Sequence, residues 1–293
     1  MLLPFTKMHG IGNDYVYVDC FANRVADPAS LARQVSPRRT GIGSDGLILI
    51  CPSDLADCRM EMYNADGSRG EMCGNGIRCV AKYAYEHGLA RVNPLRIETD
   101  AGIKEIRLSF TGVRVREATV DMGAPIFDGP AIPIAAEGRV VNGGLEVDGT
   151  HYAITCLSMG NPHCVIFVDD VAGLDLPRIG PKFATHPLFP HGVNTEFVRV
   201  DDPTSLTMRV WERGSGETAA CGTGACAALV AAVLNQRSQR AATLHLNGGD
   251  LQIEWRESDD RVMMTGAAEE VFGGTIEVPP SKPSTACQGV TSP

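Results

Sequence analysis

The sequence predicts an α+β fold of two pseudo-symmetric lobes, each a mostly antiparallel sheet wrapped around a central helix, with an active site in the cleft between them. The first observation behind this is a repeat. Cys73-Gly74-Asn75-Gly76 recurs as Cys221-Gly222-Thr223-Gly224, 148 residues later. The same offset, without a gap, carries Gly12-Asn13 onto Gly160-Asn161 and Asp27 onto Asp175. A period of that length is a duplicated domain, not a solenoid repeat. The second observation is the run from Ala225 to Leu234, which is apolar nearly all round. Such a helix must be enclosed by the rest of its domain. The third is the set of short strand candidates on either side of each Cys-Gly segment. Many strands around one buried helix is an α+β plan.

In chain order, residues 15–19 read as a strand. Asp27-Pro28 is an N-cap followed by proline at the first helical position, opening a helix to about Val35. Residues 46–50 and 59–63 read as strands. The loop from Asn64 to Cys73 is polar and glycine-rich, and Ile77, Val80, Ala81 and Ala84 then repeat at helical spacing up to Gly88, a C-cap signal. Strands follow near 95–99, 103–109 and 113–121. The second half repeats the order, with strands at 151–158 and 163–168, a short helix at 176–183, strands at 195–200 and 206–211, the apolar helix at 223–236, and strands at 241–246, 251–256 and 261–265. A last strand, 270–278, has no counterpart within its own repeat. This gives lobes of 1–121 plus 268–279 and of 122–267, with 280–293 as a disordered tail rich in Pro, Ser, Thr and Gly.

Bulk properties narrow the function. The 293 residues are 44% hydrophobic, enough for one or two domains with ample core. The net charge is −9 and no Lys/Arg run occurs, which argues against nucleic acid. Ten cysteines contain no C-x-x-C pair, which disfavours a structural zinc ribbon, and most sit in apolar runs as buried free thiols do. The first ten residues lack an apolar stretch of signal-peptide length, and the longest apolar helix is far short of the ~20 residues of a membrane span. A cytoplasmic protein with reduced thiols is the expectation.

Gly41-Ile42-Gly43-Ser44-Asp45-Gly46 matches G-x-G-x-x-G, but it precedes a strand instead of opening a helix, so it reads as a turn closing on something small. Cys73 and Cys221 each fall at a helix N-terminus. Free N–H groups and the positive end of the dipole favour thiolate there, so each thiol is expected below its ordinary value. One such cysteine alone would read as a buried thiol in a first turn. Two at equivalent places read either as a redox pair or as an acid and a base held on opposite faces of a substrate carbon. Helix N-termini bind anions. The N–H groups of Gly74, Asn75, Gly222 and Thr223 could therefore clasp a carboxylate and stabilise charge at its α-carbon, as an oxyanion hole does. Asn13, Asn64, Asn161 and Asn194 lie in polar turns at strand ends, where asparagine is common for local reasons. Asn13 echoes Asn161, Asn64 echoes Glu212, and Asn194 falls opposite Gly46. Glu212-Arg213 ends a strand, as a solvated pair or as part of the site. His163, after Asn161-Pro162, reads as a core histidine or as a residue tuning a nearby thiol.

Three blocks together resemble the diaminopimelate epimerase family over about residues 3–278: Asn64 to Gly67 with Cys73 to Gly76, Ser158 to His163, and Glu212 to Thr218 with Cys221 to Gly224. The resemblance implies a cofactor-free, metal-free homodimeric isomerase that interconverts LL- and meso-diaminopimelate on the lysine and cell-wall pathway. It implies two lobes, with the last strand returning to the first. It implies Cys73 and Cys221 as the acid/base pair, with His163 and Glu212 beside them. Asn13, Asn64, Asn161, Asn194, Glu212 and Arg213 would hold amino and carboxylate groups, and the two Cys-Gly turns, Gly74-Asn75 and Gly222-Thr223, the reacting carboxylate. Many members carry Gln where this chain has Gly46, so that contact is missing or replaced. A proline racemase-like epimerase would share the lobes and the cysteines, but typically has His in place of Asn75 and lacks Arg213. A non-enzymatic thiol switch would leave the asparagine and arginine set without a role.

Overall fold

The computed structural model describes residues 2–278. The chain runs twice through one pattern. The first pass is β1 (Leu2–Gly10), β2 (Asn13–Asp19), α1 (Pro28–Val35), β3 (Gly46–Cys51), β4 (Cys58–Asn64), β5 (Arg69–Gly70), α2 (Gly74–Glu86), β6 (Leu95–Thr99), β7 (Gly102–Thr111) and β8 (Arg114–Asp121). β9 (Gly143–Val147) precedes the second pass. That pass is β10 (Thr150–Ser158), β11 (Pro162–Phe167), α3 (Leu176–Ala184), β12 (Asn194–Asp202), β13 (Ser205–Glu212), β14 (Gly216–Thr218), α4 (Gly222–Leu234), β15 (Ala241–Leu246), β16 (Gly249–Trp255) and β17 (Val262–Ala267). β18 (Glu269–Glu277) follows.

The pairing repeats with the elements. In the first pass β1–β2 and β3–β4 are antiparallel and β2–β3 and β4–β6 parallel. In the second, β10–β11 and β12–β13 are antiparallel and β11–β12 and β13–β15 parallel. Even the register is kept: Tyr15 faces Gly46 in one lobe, and His163 faces Asn194 in the other, both at the offset of 148. β8 and β17 pair antiparallel where the lobes meet, with Thr119 Oγ1 and Thr265 Oγ1 2.7 Å apart. The result is one continuous sheet of 18 strands folded around two helices.

Those helices are central because α4 is apolar nearly all round and α2 carries a wide apolar face. Ala225 to Ala232 of α4 and Ile77, Cys79, Val80, Ala81 and Ala84 of α2 are all fully buried. They share one core, and α2 and α4 touch. α1 and α3 cover the outer faces. Asp27 caps α1 by accepting from the Ser30 N–H at 3.0 Å.

Four strands escape sequence patterning: the short β5 and β14, in the loops before the two Cys-Gly turns, and β1 and β9. β1 carries Pro4 and is buried on both faces from Phe5 to Met8, so it lacks strand alternation. β9 is five residues beginning with two glycines. Together they account for the unmatched last strand. β18 pairs with β1 as β9 pairs with β10, so β9 is the counterpart of β18, placed before its repeat and not after it. The expected tail, 280–293, lies outside the described residues.

Candidate active site

The register just described sets the N-termini of α2 and α4 toward each other. Cys73 is the N-cap of α2 and Cys221 the N-cap of α4. Both line one cavity of about 920 Å³ between the lobes, together with Gly74, Asn75, Gly222 and Thr223. Asn13, Asn64, Asn161 and Glu212 also line it.

Around Cys73 the partners are neutral. Its thiol donates to Asn13 Oδ1 at 3.2 Å, and its sulfur accepts the Gly76 N–H at 3.3 Å. Asn13 is itself fixed, donating through Nδ2 to Asp45 at 2.7 Å. Asn75 reaches across to the other lobe, donating to Ala220 O at 3.4 Å, while its buried Oδ1 has no hydrogen-bond partner among the described residues. An orphaned buried acceptor beside two helix N-termini is a position where an ammonium or a water fits. Asn64 donates to Ser68 Oγ at 2.9 Å.

Around Cys221 a neutral hydroxyl is backed by ionisable groups. Its sulfur lies 3.6 Å from Thr223 Oγ1. Glu212 Oε1 accepts from the Thr218 hydroxyl at 2.5 Å. Beneath lies a fully buried pair, His163 Nδ1 and Glu196 Oε1, 2.7 Å apart. His163 Nε2 is 2.9 Å from Asn161 Oδ1, so the imidazole bridges a cavity-lining asparagine and a buried acid. A Cβ on Gly224 would stand 2.7 Å from Glu196 Oε1, which places that carboxyl under the first turn of α4.

Burial overturns the expected acidity. Both thiols are raised, not lowered. For Cys73 desolvation is the largest influence, opposed by the N–H groups of Gly76 and Asn75, the Tyr15 hydroxyl and the Arg78 charge. For Cys221 desolvation is joined by the negative charges of Glu212 and Glu196, which push it well above its ordinary value. Local sequence shows the helix end but not the depth at which it is buried, and desolvation outweighs the dipole. Glu212 is raised in turn, mainly by burial.

Three expected residues do not line the cavity: His163 and Asn194 lie behind its wall, and Arg213 is exposed. His163 is fully buried and acts on the site through Asn161 and Glu196. Asn194 is buried, and its Oδ1 accepts the Arg213 N–H at 3.0 Å. The Arg213 guanidinium turns to the His191 carbonyl at 3.3 Å. The position of the missing glutamine has no room for a side chain. A Cβ on Gly46 would meet Tyr63 O at 2.2 Å. The adjacent Asp45 lines the cavity instead and anchors Asn13.

Sequence reading missed Asp45, Tyr15 and Glu196. Asp45 sat inside a glycine-rich turn read as backbone alone. Glu196 had a usable signal: at the offset of 148 it falls on Ile48, a fully buried core position.

A model of the family described as diaminopimelate epimerase matches residues 5–127 and 155–271. The diaminopimelate epimerase of Acetivibrio thermocellus is 53% identical over 277 residues, covering 94% of this chain and 99% of its own. That of Methanococcus maripaludis is 49% identical, covering 94% of this chain and all of its own. Among solved structures, a phenazine biosynthesis protein of the PhzF family from Bacillus anthracis superposes with a TM-score of 0.69 at 15% identity, covering 95% of this chain and 100% of its own. A hydroxyproline epimerase from Agrobacterium vitis gives 0.67 at 14%, covering 94% and 91%. At such identities these two speak for the fold alone. The sequence likeness is of another order, spans nearly the whole length and takes in both Cys-Gly turns: the chain belongs to the diaminopimelate epimerase family.

Proposed function

We propose that the chain is an isomerase that interconverts LL- and meso-2,6-diaminopimelate by moving a proton at the α-carbon between Cys73 and Cys221. The single observation that carries this is the placement of two N-cap cysteines, one from each lobe, on one enclosed cavity. The thiolate of one cysteine takes the α-proton from one face, and the thiol of the other gives a proton to the opposite face. The charge then rests on the second sulfur, and the reverse passage or exchange with solvent restores it. The N–H groups at Gly74, Asn75, Gly222 and Thr223 would hold the reacting carboxylate and stabilise the charge that develops as the proton leaves. Asn13, Asn64, Asn161 and Glu212 line the walls where the amino groups would lie. Arg213, always charged and planar, suits the distal carboxylate once it leaves the His191 carbonyl, with Asn194 holding its backbone. The lobes 1–121 plus 268–279 and 122–267, a homodimer and a cytoplasmic setting with reduced thiols belong to the same reading. No helix among the described residues is long and apolar enough to cross a membrane.

The test is chiral analysis of LL-diaminopimelate incubated with reduced protein in heavy water. Two opposed cysteines predict that the inverted isomer carries deuterium at the α-carbon while recovered starting material carries little early on. Equal early labelling of both isomers would point to a single base, and no interconversion would end the proposal.

A further inference from the structure

We infer that Arg78 is a positioning residue of this reaction: its buried guanidinium selects Cys73, and not Cys221, as the thiol that ionises first. The inference rests on the two-cysteine reading above and extends it to a residue outside the cavity.

Arg78 lies on α2, just past the turn that carries Cys73, and is fully buried. Nη1 donates to the Gly74 carbonyl at 3.1 Å, so the guanidinium braces the turn that carries the thiol. Nε donates across the lobes to Ala267 O at 3.2 Å, and Nη1 lies 3.8 Å from Met264 Sδ. Nη2 is buried and has no acceptor among the described residues. Among the described residues no carboxylate is paired with Arg78, whereas Lys82, one turn further on, has Glu86 at 3.8 Å. A buried charge without a counter-charge is costly, and a neighbouring group that turns negative offsets that cost.

The groups facing Arg78 that can become negative are Cys73 and Cys79 on α2, Tyr17 on β2 and Cys226 on α4. β17 contributes only Met264 and the Ala267 carbonyl. Cys79 and Cys226 are fully buried and pushed up to about 11 and about 12, and Tyr17 is raised well above an ordinary phenol. Cys73 alone of the four lines the cavity and accepts a backbone N–H. Facing Cys73 are also the Tyr15 hydroxyl and, through Asn13, Asp45; Cys221 and Glu212 line the same cavity. The place of Arg78 in the second lobe, 148 residues on, is Cys226, which carries no fixed charge. A fixed positive charge thus lies behind one thiol only, and Glu212, Glu196 and the His163 imidazole lie behind the other.

The test is the pH dependence of iodoacetamide alkylation at Cys73 and Cys221, resolved by peptide mass spectrometry on the full chain without substrate. In the unaltered protein Cys73 should reach half-maximal rate at lower pH than Cys221; the reverse order overturns the inference with no variant needed. Arg78→Met should move the Cys73 midpoint up by about one pH unit, which is about tenfold slower alkylation below both midpoints. Arg78→Lys, which keeps the charge, should leave it nearly in place. Should Arg78→Met not fold, Arg78→Gln carries the same expectation while retaining a donor for Gly74. A Cys73 midpoint unmoved in a folded neutral variant sinks the inference, since bracing alone would change the unfolding temperature and not the midpoint. Epimerisation by the unaltered protein is scored separately, so loss of the two-cysteine reading and loss of the Arg78 role give different results.

Discussion

Cys73 and Cys221 cap their helices with nearly the same backbone, φ −128° and ψ 119° against φ −127° and ψ 110°. Their helices are the same length, 13 residues, and their strands share a register. The layer behind them keeps Asn13 and Asn161 in common and differs at four other matched positions. Tyr15 becomes His163, Ile48 becomes Glu196, Asn64 becomes Glu212 and Arg78 becomes Cys226, each at the offset of 148. One thiol faces amide, phenol and guanidinium; the other faces two carboxyls and an imidazole. The helix dipole is common to both lobes, so it cannot distinguish them. Side chains drawn from the strands beneath do so, and they push the second thiol further up than the first.

The severest way to break the comparison is to remove each sulfur. If the lobes supply an acid and a base that alternate, Cys73→Ala and Cys221→Ala should each abolish epimerisation. Proton transfer by a placed group contributes about 10²–10⁴-fold, so the loss should be at least of that order in both directions, with circular dichroism unchanged. Near-normal turnover by either variant in a stereochemical assay would make the duplication decorative.

A gentler change exchanges one lobe's surroundings for the other's. Glu196→Gln keeps the volume under the first turn of α4 and removes a negative charge that raises Cys221. Cys221 should then alkylate about tenfold faster at neutral pH, while Cys73 keeps its rate. An unchanged Cys221 rate would mean that desolvation and Glu212 set its acidity without Glu196.

The duplication was legible because the offset survives without a gap from Gly12 to Gly224, across both cysteines. The central helices were legible from their all-round apolar character. Most strands near them followed from apolar runs and turn glycines. β1 was not, because a strand buried on both faces and interrupted by Pro4 has no alternation to read. Acidity was not, because it depends on how deeply Cys73 and Cys221 sit and on Glu196, which reaches Cys221 through the fold and not through the chain. Arg213 and Asn194 show the same limit: sequence places them at strand ends, and only the fold buries Asn194 behind the wall and turns the exposed Arg213 to the His191 carbonyl.

Glu212 sharpens the comparison in a different observable. Burial raises its carboxyl above the ordinary 4.5, so the folded state holds its proton to higher pH than the unfolded chain. The stability it contributes is fully present below about 4.5 and is lost as pH rises through the folded value. Its counterpart Asn64 does not titrate. Glu212→Gln should therefore gain on the unaltered protein as pH rises, with the difference in unfolding temperature more positive at pH 8 than at pH 4. A difference that stays flat across this range would mean the carboxyl is solvated in the fold.

The smallest expected effect lies at the far ends of the same two helices. α2 ends at His87 and passes into Gly88 at φ +79°; α4 ends at Asn235 and passes into Gln236 at φ +57°. The closing bonds are alike: Leu89 N donates to Ala84 O at 2.9 Å, and Arg237 N donates to Ala232 O at 2.9 Å. The left-handed conformation is free for glycine and costs a side-chain-bearing residue about 1 kcal/mol. One lobe avoids that cost and the other carries it. Gln236→Gly should therefore stabilise by up to ~1 kcal/mol, offset in part by the greater entropy of glycine in the unfolded chain, and Gly88→Ala should destabilise by about as much. Neither position touches the cavity, so turnover should hold while denaturant midpoints move in opposite directions. Equal movement of both midpoints in one direction would show that the two helix ends, unlike the two helix starts, are not equivalent.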